Sequence, residues 1–367
     1  MRIGIDGREL IAGARTGIGR YVSEVLRAAS QTGLECVVYG DDRTRLPVTL
    51  PGVSLHRLNA GPTLWVDQVA LPQCLARDRI AVFLSPYFKC PLRAPCPVVI
   101  TIHDLMFIHY PDSHRPLYDF VMTSLARLYA ARATAVIADS DYSKRSIVAT
   151  LGVREDKVCV IPVALGAEFT PEPLTDAVKL RYGIRSPYIL SVGNFLPHKN
   201  IPRLMQAYAG LDRSLQGRHR LVLAGGGGDT QHRAELEQLT GSLGLAERVL
   251  FPGLIEDADL PALYSGATVF VLPSLEEGFG LSALEAMACG TPVVASNRAA
   301  IPEVVGDAAL LFDPGKIAAI TEAMTMALTR SDMRDGMRER GFVRAGTFTP
   351  DRTAGRVVAL LHDVASG

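Results

Sequence analysis

The sequence of 367 residues predicts two doubly wound α/β domains, each a parallel sheet with helices on both faces, the pair facing a cleft. Three observations carry this. Short apolar runs alternate with amphipathic stretches, the pattern of strands buried on both faces by crossover helices. The alternation occurs twice, on either side of a stretch holding Pro162, Pro171 and Pro173. The length suits two domains of ordinary size.

In the first half the apolar runs lie at 2–6, 35–39, 81–85, 98–103, 133–139 and 157–162. In the second they lie at 187–192, 220–224, 248–251, 267–272, 292–296 and 309–312. The mixed polar and proline composition around 163–183 has the character of a linker. The expected division is therefore 1–165, a linker at 166–183, a second domain at 184–349 and a terminal segment at 350–367. Residues 352–364 are apolar on one helical face, and the chain shows no low-complexity tract or solenoid period. In such sheets ligands bind beyond the carboxyl ends of the strands.

Hydrophobic residues make up 48% and charged residues 21%, the balance of a globular protein, and the formal net charge is zero. No overall electrostatic footprint for nucleic acid is present. Residues 1–160 carry 19 Lys/Arg against 15 Asp/Glu and the remainder 19 against 23, so any attraction to an anionic acceptor or membrane belongs to the first half. No apolar run is long enough for a membrane span, and Met1 leads into a strand without the layout of a signal peptide. The six cysteines, at 36, 74, 90, 96, 159 and 289, fit no common zinc spacing and read as reduced thiols of a cytoplasmic protein.

The richest chemistry lies at 273–296. An apolar run leads into Pro273, then Glu277, Gly278, Phe279, Gly280 and Leu281, then a short apolar helix from Ser282 to about Ala288 that Gly290 and Pro292 end. Strand, glycine turn and helix N-terminus together make an anion socket, because unpaired amides and the helix dipole point the same way. The two flanking carboxylates suit sugar hydroxyls, and the combination suggests a sugar nucleotide. Ser282 and Glu285 also read equally well as a capping box. Glu277 precedes the turn, where a cap has nothing to hold, and so reads as functional.

Glu277 and Glu285, seven residues apart with Gly278-Phe279-Gly280 between them, resemble the paired-glutamate motif of retaining glycosyltransferase family 4. The runs at 290–295, 301–305, 190–200 and 249–253 are similar to that family too, so the resemblance covers the second half and is looser in the first. It implies a GT-B fold, with a first domain on the acceptor side, a second that binds the nucleotide sugar, and a C-terminal helix that crosses back onto the first. It also implies same-face attack, in which the leaving phosphate helps deprotonate the acceptor, and no cofactor or metal. No Asp-x-Asp motif is present, so turnover is expected to survive a chelator.

Lys199 follows a strand and precedes a helix with Ile201, Leu204, Met205 and Tyr208 on one face. Asn200 reads as its N-cap and Pro202 as a first-turn residue. Most lysines are solvated surface groups, but an ammonium at a helix N-terminus also clamps a diphosphate. In series with the 277–285 loop the second reading prevails. Where the resembling family has an arginine soon after the glycine matching Gly193, this chain has Asn194.

Gly17 and Gly19 follow the first strand and precede a helix. Val22 stands where a dinucleotide fingerprint needs its third glycine, which argues against a dehydrogenase. The resemblance implies that their loop lets the backbone approach donor phosphate and acceptor. His103 ends a strand; on its own it reads as a structural histidine partnered by Asp104 or backbone, and the resemblance implies contact with the transferred sugar. Asp139 and Ser140 read as structural caps of a helix beginning near Tyr142. Gly225 to Gly228 lacks the Lys-Ser/Thr ending of a phosphate loop and reads as a strand-to-helix turn. The stretch 117–129, with Arg115, Arg127 and Arg132 nearby, carries apolar residues at helical spacing; core is favoured over lipid contact.

The expected catalytic residues are His103, Glu277 and Lys199. The expected donor contacts are Gly17, Gly19, Asn194, Gly278, Phe279, Gly280, Leu281 and Glu285. The resemblance favours GDP-mannose as donor and a glycan or polyprenyl-linked acceptor in bacterial surface polysaccharide synthesis, with peripheral contact at the inner face of the membrane. The alternatives are a nucleotide-sugar epimerase or hydrolase of the same fold, or a non-catalytic nucleotide-sugar-binding protein.

Overall fold

In a computed structural model the structure describes residues 1–11, 17–46, 49–59, 61–110, 116–185, 187–226 and 230–367, the side chains of Thr230 and Gln231 excepted. They form two compact units, Met1–Ala164 with Thr349–Gly367, and Leu165–Phe348.

The first unit is built on strands β1 (Arg2–Asp6), β2 (Glu35–Gly40), β3 (Val53–Arg57), β4 (Val82–Ser85), β5 (Val98–Ile102), β6 (Ala135–Ala138) and β7 (Val158–Val160). Among the described residues they make a seven-stranded sheet in the order β3-β2-β1-β4-β5-β6-β7, every pairing parallel. The sequence reading omits β3. It is an edge strand whose side chains are half-buried or exposed, so it has no continuous apolar run. One face of the sheet packs Tyr39, Phe83 and Ile100 with Ala126 and Tyr129. The other packs Ile3, Ile5 and Leu84 with Val22, Val25 and Leu26 of the helix Gly17–Gln31.

Val357 and Leu361 of the C-terminal helix Pro350–Ser366 are buried in that second cluster. This helix starts cleanly because the Thr349 hydroxyl accepts from the Arg352 amide. Thr353 then donates to the Pro162 carbonyl at 2.8 Å. The chain thus leaves the second unit and returns its last helix to the first.

The second unit carries β8 (Tyr188–Gly193), β9 (Arg220–Gly225), β10 (Val249–Gly253), β11 (Val269–Leu272), β12 (Val293–Ser296) and β13 (Ala309–Phe312). Their order is β10-β9-β8-β11-β12-β13, all parallel. Counted within the unit this is the 3-2-1-4-5-6 order of a dinucleotide-type fold, whose direction of winding reverses between β8 and β11. Ile189, Leu221, Val269 and Val294 lie buried with Leu204, Met205, Tyr208 and Met324.

The segment expected as a linker belongs to this second unit and carries a helix, Asp176–Tyr182, capped by the Thr175 hydroxyl and ended by Gly183 in the left-handed conformation. Arg181 and Tyr182 both bond Asp259, at 2.7 and 2.8 Å. Prolines at 171 and 173 mark its entry rather than a free tether.

Candidate functional site

The reversal of strand order in the second unit lies between the carboxyl ends of β8 and β11, and two loops meet there. The backbone is crowded where β8 and β9 end. Gly225 has φ +111°, and a Cβ on it would stand 2.1 Å from the Gly193 carbonyl oxygen. Only glycine fits both demands. Gly227 and Gly228, also weighed as a phosphate loop, lie outside the described residues.

After β8 the chain passes exposed Asn194 and makes a 3-10 turn, Pro197–Lys199. Asn200 takes the left-handed conformation, φ 59°, before the helix Ile201–Ala209 with Pro202 in its first turn. Asn200 holds the N-cap position, yet its side chain does not cap. The amide Nδ2 donates instead to the carbonyls of Pro273 and Pro314, at 3.0 and 2.9 Å, and so ties the β8 loop to those after β11 and β13. The Leu275 amide adds a bond to the His198 carbonyl at 2.7 Å. With the backbones joined, Lys199 Nζ donates to Glu277 Oε1 at 2.6 Å, and the Ser274 hydroxyl donates to the same oxygen at 2.7 Å. Both charged side chains are largely shielded, Lys199 17% and Glu277 13% exposed.

Beyond Glu277 the helix begins at Leu281 and runs to Ala288, with Gly280 at the N-cap position in the left-handed conformation and no side-chain cap. Ser282 is therefore inside the first turn, and the capping box read from the sequence does not form: the glycine φ of +101° starts the helix two residues early. Glu285 Oε2 accepts from the Tyr264 hydroxyl at 2.8 Å. Burial first, and then Glu285, push the Tyr264 phenol well above its ordinary value, so it remains the donor. The ring of Phe279 is buried edge-on against Phe348, centroids 5.6 Å apart. Its side chain is core, whereas Gly278 and Leu281 are half-buried.

In the first unit, β5 and β6 pair with Ile102 opposite Ala138, so the next residues, His103 and Asp139, leave the sheet side by side. His103 Nδ1 meets Asp139 Oδ2 at 2.8 Å, and Asp139 is 3% exposed. The side-chain partner is thus not Asp104, which accepts from the Met106 amide, while the Pro86 carbonyl also acts on the ring. Nor does Asp139 cap: Ser140 is the N-cap of the helix Asp141–Leu151, its Oγ accepting from the Ser143 amide. Burial opposes the charged imidazole, but Asp139, then Asp104 and the Pro86 carbonyl, lift His103 above its ordinary value. Its Nε2 is buried and makes no hydrogen bond of good geometry among the described residues. The Tyr21 ring stands edge-on to the imidazole at 5.6 Å.

Gly17 and Gly19 are in the opening turn of the helix Gly17–Gln31 rather than in a loop, and a Cβ on Gly17 would meet no atom within 4 Å. Arg15 and Thr16 lie outside the described residues. Sequence reasoning missed Ser274, Asn200 and Asp139 as participants. Its preference for core at 117–129 is also corrected. On the helix Pro116–Arg132 only Ala126, Tyr129 and Ala130 are buried, and Leu117 and Phe120 are 75% and 70% exposed. Among the described residues no cluster of His, Cys, Asp and Glu is arranged to hold a metal, all six cysteines are free, and no helix is long and apolar enough to cross a membrane.

Two parallel sheets with a returning C-terminal helix, and a lysine–glutamate pair beside a glycine-started helix at a strand-order reversal, define a glycosyltransferase of the GT-B class. Comparison with known proteins makes this specific. Residues 179–344 match the family model of group 1 glycosyl transferases, and residues 15–165 that of glycosyltransferase family 4. O-antigen chain mannosyltransferase B of Escherichia coli is 32% identical over 271 residues, covering 73% of this chain and 70% of that one. Serotype-specific mannosyltransferase WbdA of Escherichia coli is 33% identical over 276 residues, 71% of this chain and 32% of WbdA. Among solved structures, sucrose-phosphate synthase from Thermosynechococcus elongatus superposes with TM-score 0.81 at 23% identity, over 100% of this chain and 99% of that one. Anabaena HepE, solved in complex with UDP and glucose, gives 0.77 at 20% identity, over 99% and 100%. The chain belongs to family 4 of the retaining glycosyltransferases.

Proposed function

We propose that the protein transfers a hexose, mannose in the first instance, from a nucleotide diphosphate sugar to a glycan or polyprenyl-linked acceptor in bacterial surface polysaccharide synthesis. The observation that carries this is the Lys199–Glu277 pair at the reversal between β8 and β11, the place where an open parallel sheet binds its ligand. The relatives named as mannosyltransferases, 32% and 33% identical over 271 and 276 residues, support mannose and hence GDP-mannose. The lysine ammonium and the amides around Gly278–Leu281 face the diphosphate and stabilise the charge that develops as it leaves. Glu285, steadied by Tyr264, accepts the ribose hydroxyls. Glu277 accepts from the sugar through Oε2, which takes no hydrogen bond among the described residues. To the first unit we assign the acceptor side, with Gly17, Gly19 and His103 as its candidate contacts.

In the reaction the bond from the anomeric carbon to the phosphate oxygen breaks, and the acceptor oxygen bonds that carbon on the same face. The acceptor proton passes to the departing phosphate oxygen. No residue of the chain is consumed and no metal takes part. The protein acts in the cytoplasm at the membrane face: Leu117, Tyr118, Phe120 and Val121 are exposed on one helix, with Arg127 and Arg132 further along it.

The test is incubation with GDP-mannose and a mannose-terminated glycan, EDTA present, with the product linkage read by NMR. Transfer with retained α configuration is expected. Free sugar or an epimerised donor without acceptor would place the chain with hydrolases or epimerases. Loss of turnover in EDTA, restored by manganese, would overturn the metal-free site.

A further inference from the structure

Ser274 has no part in the chemistry so far, and its surroundings give it one. It follows β11, is fully buried, and donates its hydroxyl to Glu277 Oε1 at 2.7 Å. Both neighbours are pinned: the Pro273 carbonyl accepts from Asn200 at 3.0 Å, and the Leu275 amide donates to the His198 carbonyl at 2.7 Å. The hydroxyl is thus held on a backbone anchored to the lysine loop at either side, and water does not reach it. Lys199 donates to that same Oε1 at 2.6 Å. Two donors converge on one carboxylate oxygen, and the other oxygen, Oε2, is left as an acceptor.

We propose that Ser274 is a positioning residue for Glu277, fixing its carboxylate so that Oε2 is presented to the hydroxyls of the transferred sugar. The inference rests on the reading of Glu277 as a sugar contact. The serine matters because the lysine has a second duty. An ammonium has three donors and rearranges freely, and a bound diphosphate competes with Glu277 for it. A buried serine hydroxyl has a single proton, and among the described residues it goes to Glu277 alone. It keeps the carboxylate oriented while Lys199 turns to the phosphates. Without it Glu277 is anchored only by the group that the donor recruits.

The experiment combines kinetics with crystallography on the full chain. Ser274→Ala is expected to lower kcat with GDP-mannose by about tenfold while KM stays within about threefold, the pattern of an interaction realised in the transition state. Affinity for GDP, which lacks the sugar, is expected to be unchanged. Glu277→Gln is expected to mask the loss, so that adding Ser274→Ala to it costs little more. A merely structural serine would weaken GDP binding and add its loss in full on the Glu277→Gln background; either result overturns the proposal. A crystal structure of Ser274→Ala with a nucleoside diphosphate bound (GDP or UDP), compared with the wild type in the same state, reads the geometry whatever sugar the donor carries. A Glu277 carboxylate rotated or disordered there but ordered in the wild type supports the inference, and one that keeps its wild-type place refutes it. Inactivity of the wild-type chain with every sugar nucleotide tried would instead sink the proposed function, and leave the crystallographic arm standing.

Discussion

Both sheets reverse their strand order after their first strand, and they use the reversal differently. In the second unit the ends of β8 and β11 present Lys199 and Glu277, with an oxygen of Glu277 left to accept. In the first unit the ends of β1 and β4 flank a cation held by two carboxylates: Arg8 bridges Asp6 at 2.5 Å and Asp67 at 2.6 Å. Burial opposes the charge on Arg8, but Asp6 and Asp67 hold it firmly cationic. The first unit's candidate contact, His103, stands one strand further on, at the end of β5. A strand-order reversal therefore makes a place for a ligand without guaranteeing one. What differs is the charge held there, one cation against two buried carboxylates at the first reversal and one against one at the second.

The comparison breaks most readily at the second unit's pair. Glu277→Gln and Lys199→Ala are each expected to lower kcat/KM by about 10²–10³, the scale of losing one preorganised donor or acceptor at a reacting centre. Circular dichroism should move little and the melting temperature modestly, since Glu277→Gln keeps the side chain's shape and Lys199→Ala leaves Glu277 the Ser274 hydroxyl. Arg8→Ala, at the other reversal, is expected to do the opposite. It leaves two buried carboxylates uncompensated, and the cost of breaking such a pair is about 3–5 kcal/mol. A variant series in which Arg8→Ala folds normally and only turnover suffers would erase the contrast.

A smaller effect sharpens the first unit's half. Asp139→Asn removes the charge that holds the His103 proton. The ring, now above its ordinary value because the carboxylate outweighs burial, stays protonated to higher pH than a free histidine. The sign follows: in the variant its NMR titration midpoint moves to lower pH. Turnover is expected to fall about tenfold to a hundredfold, as when the partner that orients a functional histidine is lost. An unchanged midpoint would show that Asp139 does not govern the ring.

What the sequence disclosed follows the range of the interactions involved. The strands of both sheets were legible because burial on both faces leaves runs such as Val269–Leu272 with no polar residue. Glu277 and Lys199 were legible because each sits in a local frame of glycine, proline and helix start. Ser274 lies in the same stretch yet was passed over. Its significance depends on a carboxylate turning back three residues and on a lysine reaching across from another strand. Asn200 shows the same limit: a residue that is a good cap by local rules spends its amide on two distant carbonyls. Asp139 was assigned to a cap since only the register of β5 against β6 sets it beside His103.

The smallest expected effect concerns the surface of the first unit. Leu117, Tyr118, Phe120 and Val121 lie exposed in the opening turns of Pro116–Arg132, a cost in water that a monomer surface usually avoids. Arg127 and Arg132 on the same helix donate to the Thr150 and Leu92 carbonyls, and Arg93 stands exposed beside the latter. Apolar side chains with cations further along the same helix suit an anionic bilayer surface better than another protein's core. Each basic residue near such a surface contributes about 1 kcal/mol. Leu117→Ser with Phe120→Ser is therefore expected to reduce co-sedimentation with phosphatidylglycerol vesicles several-fold, while transfer to a soluble glycan is untouched. Equal binding by the variant, or equal binding of the wild type to vesicles of neutral lipid alone, would remove the membrane from the account. Dimerisation of the wild type lost in the variant would assign the same face to a second copy of the chain.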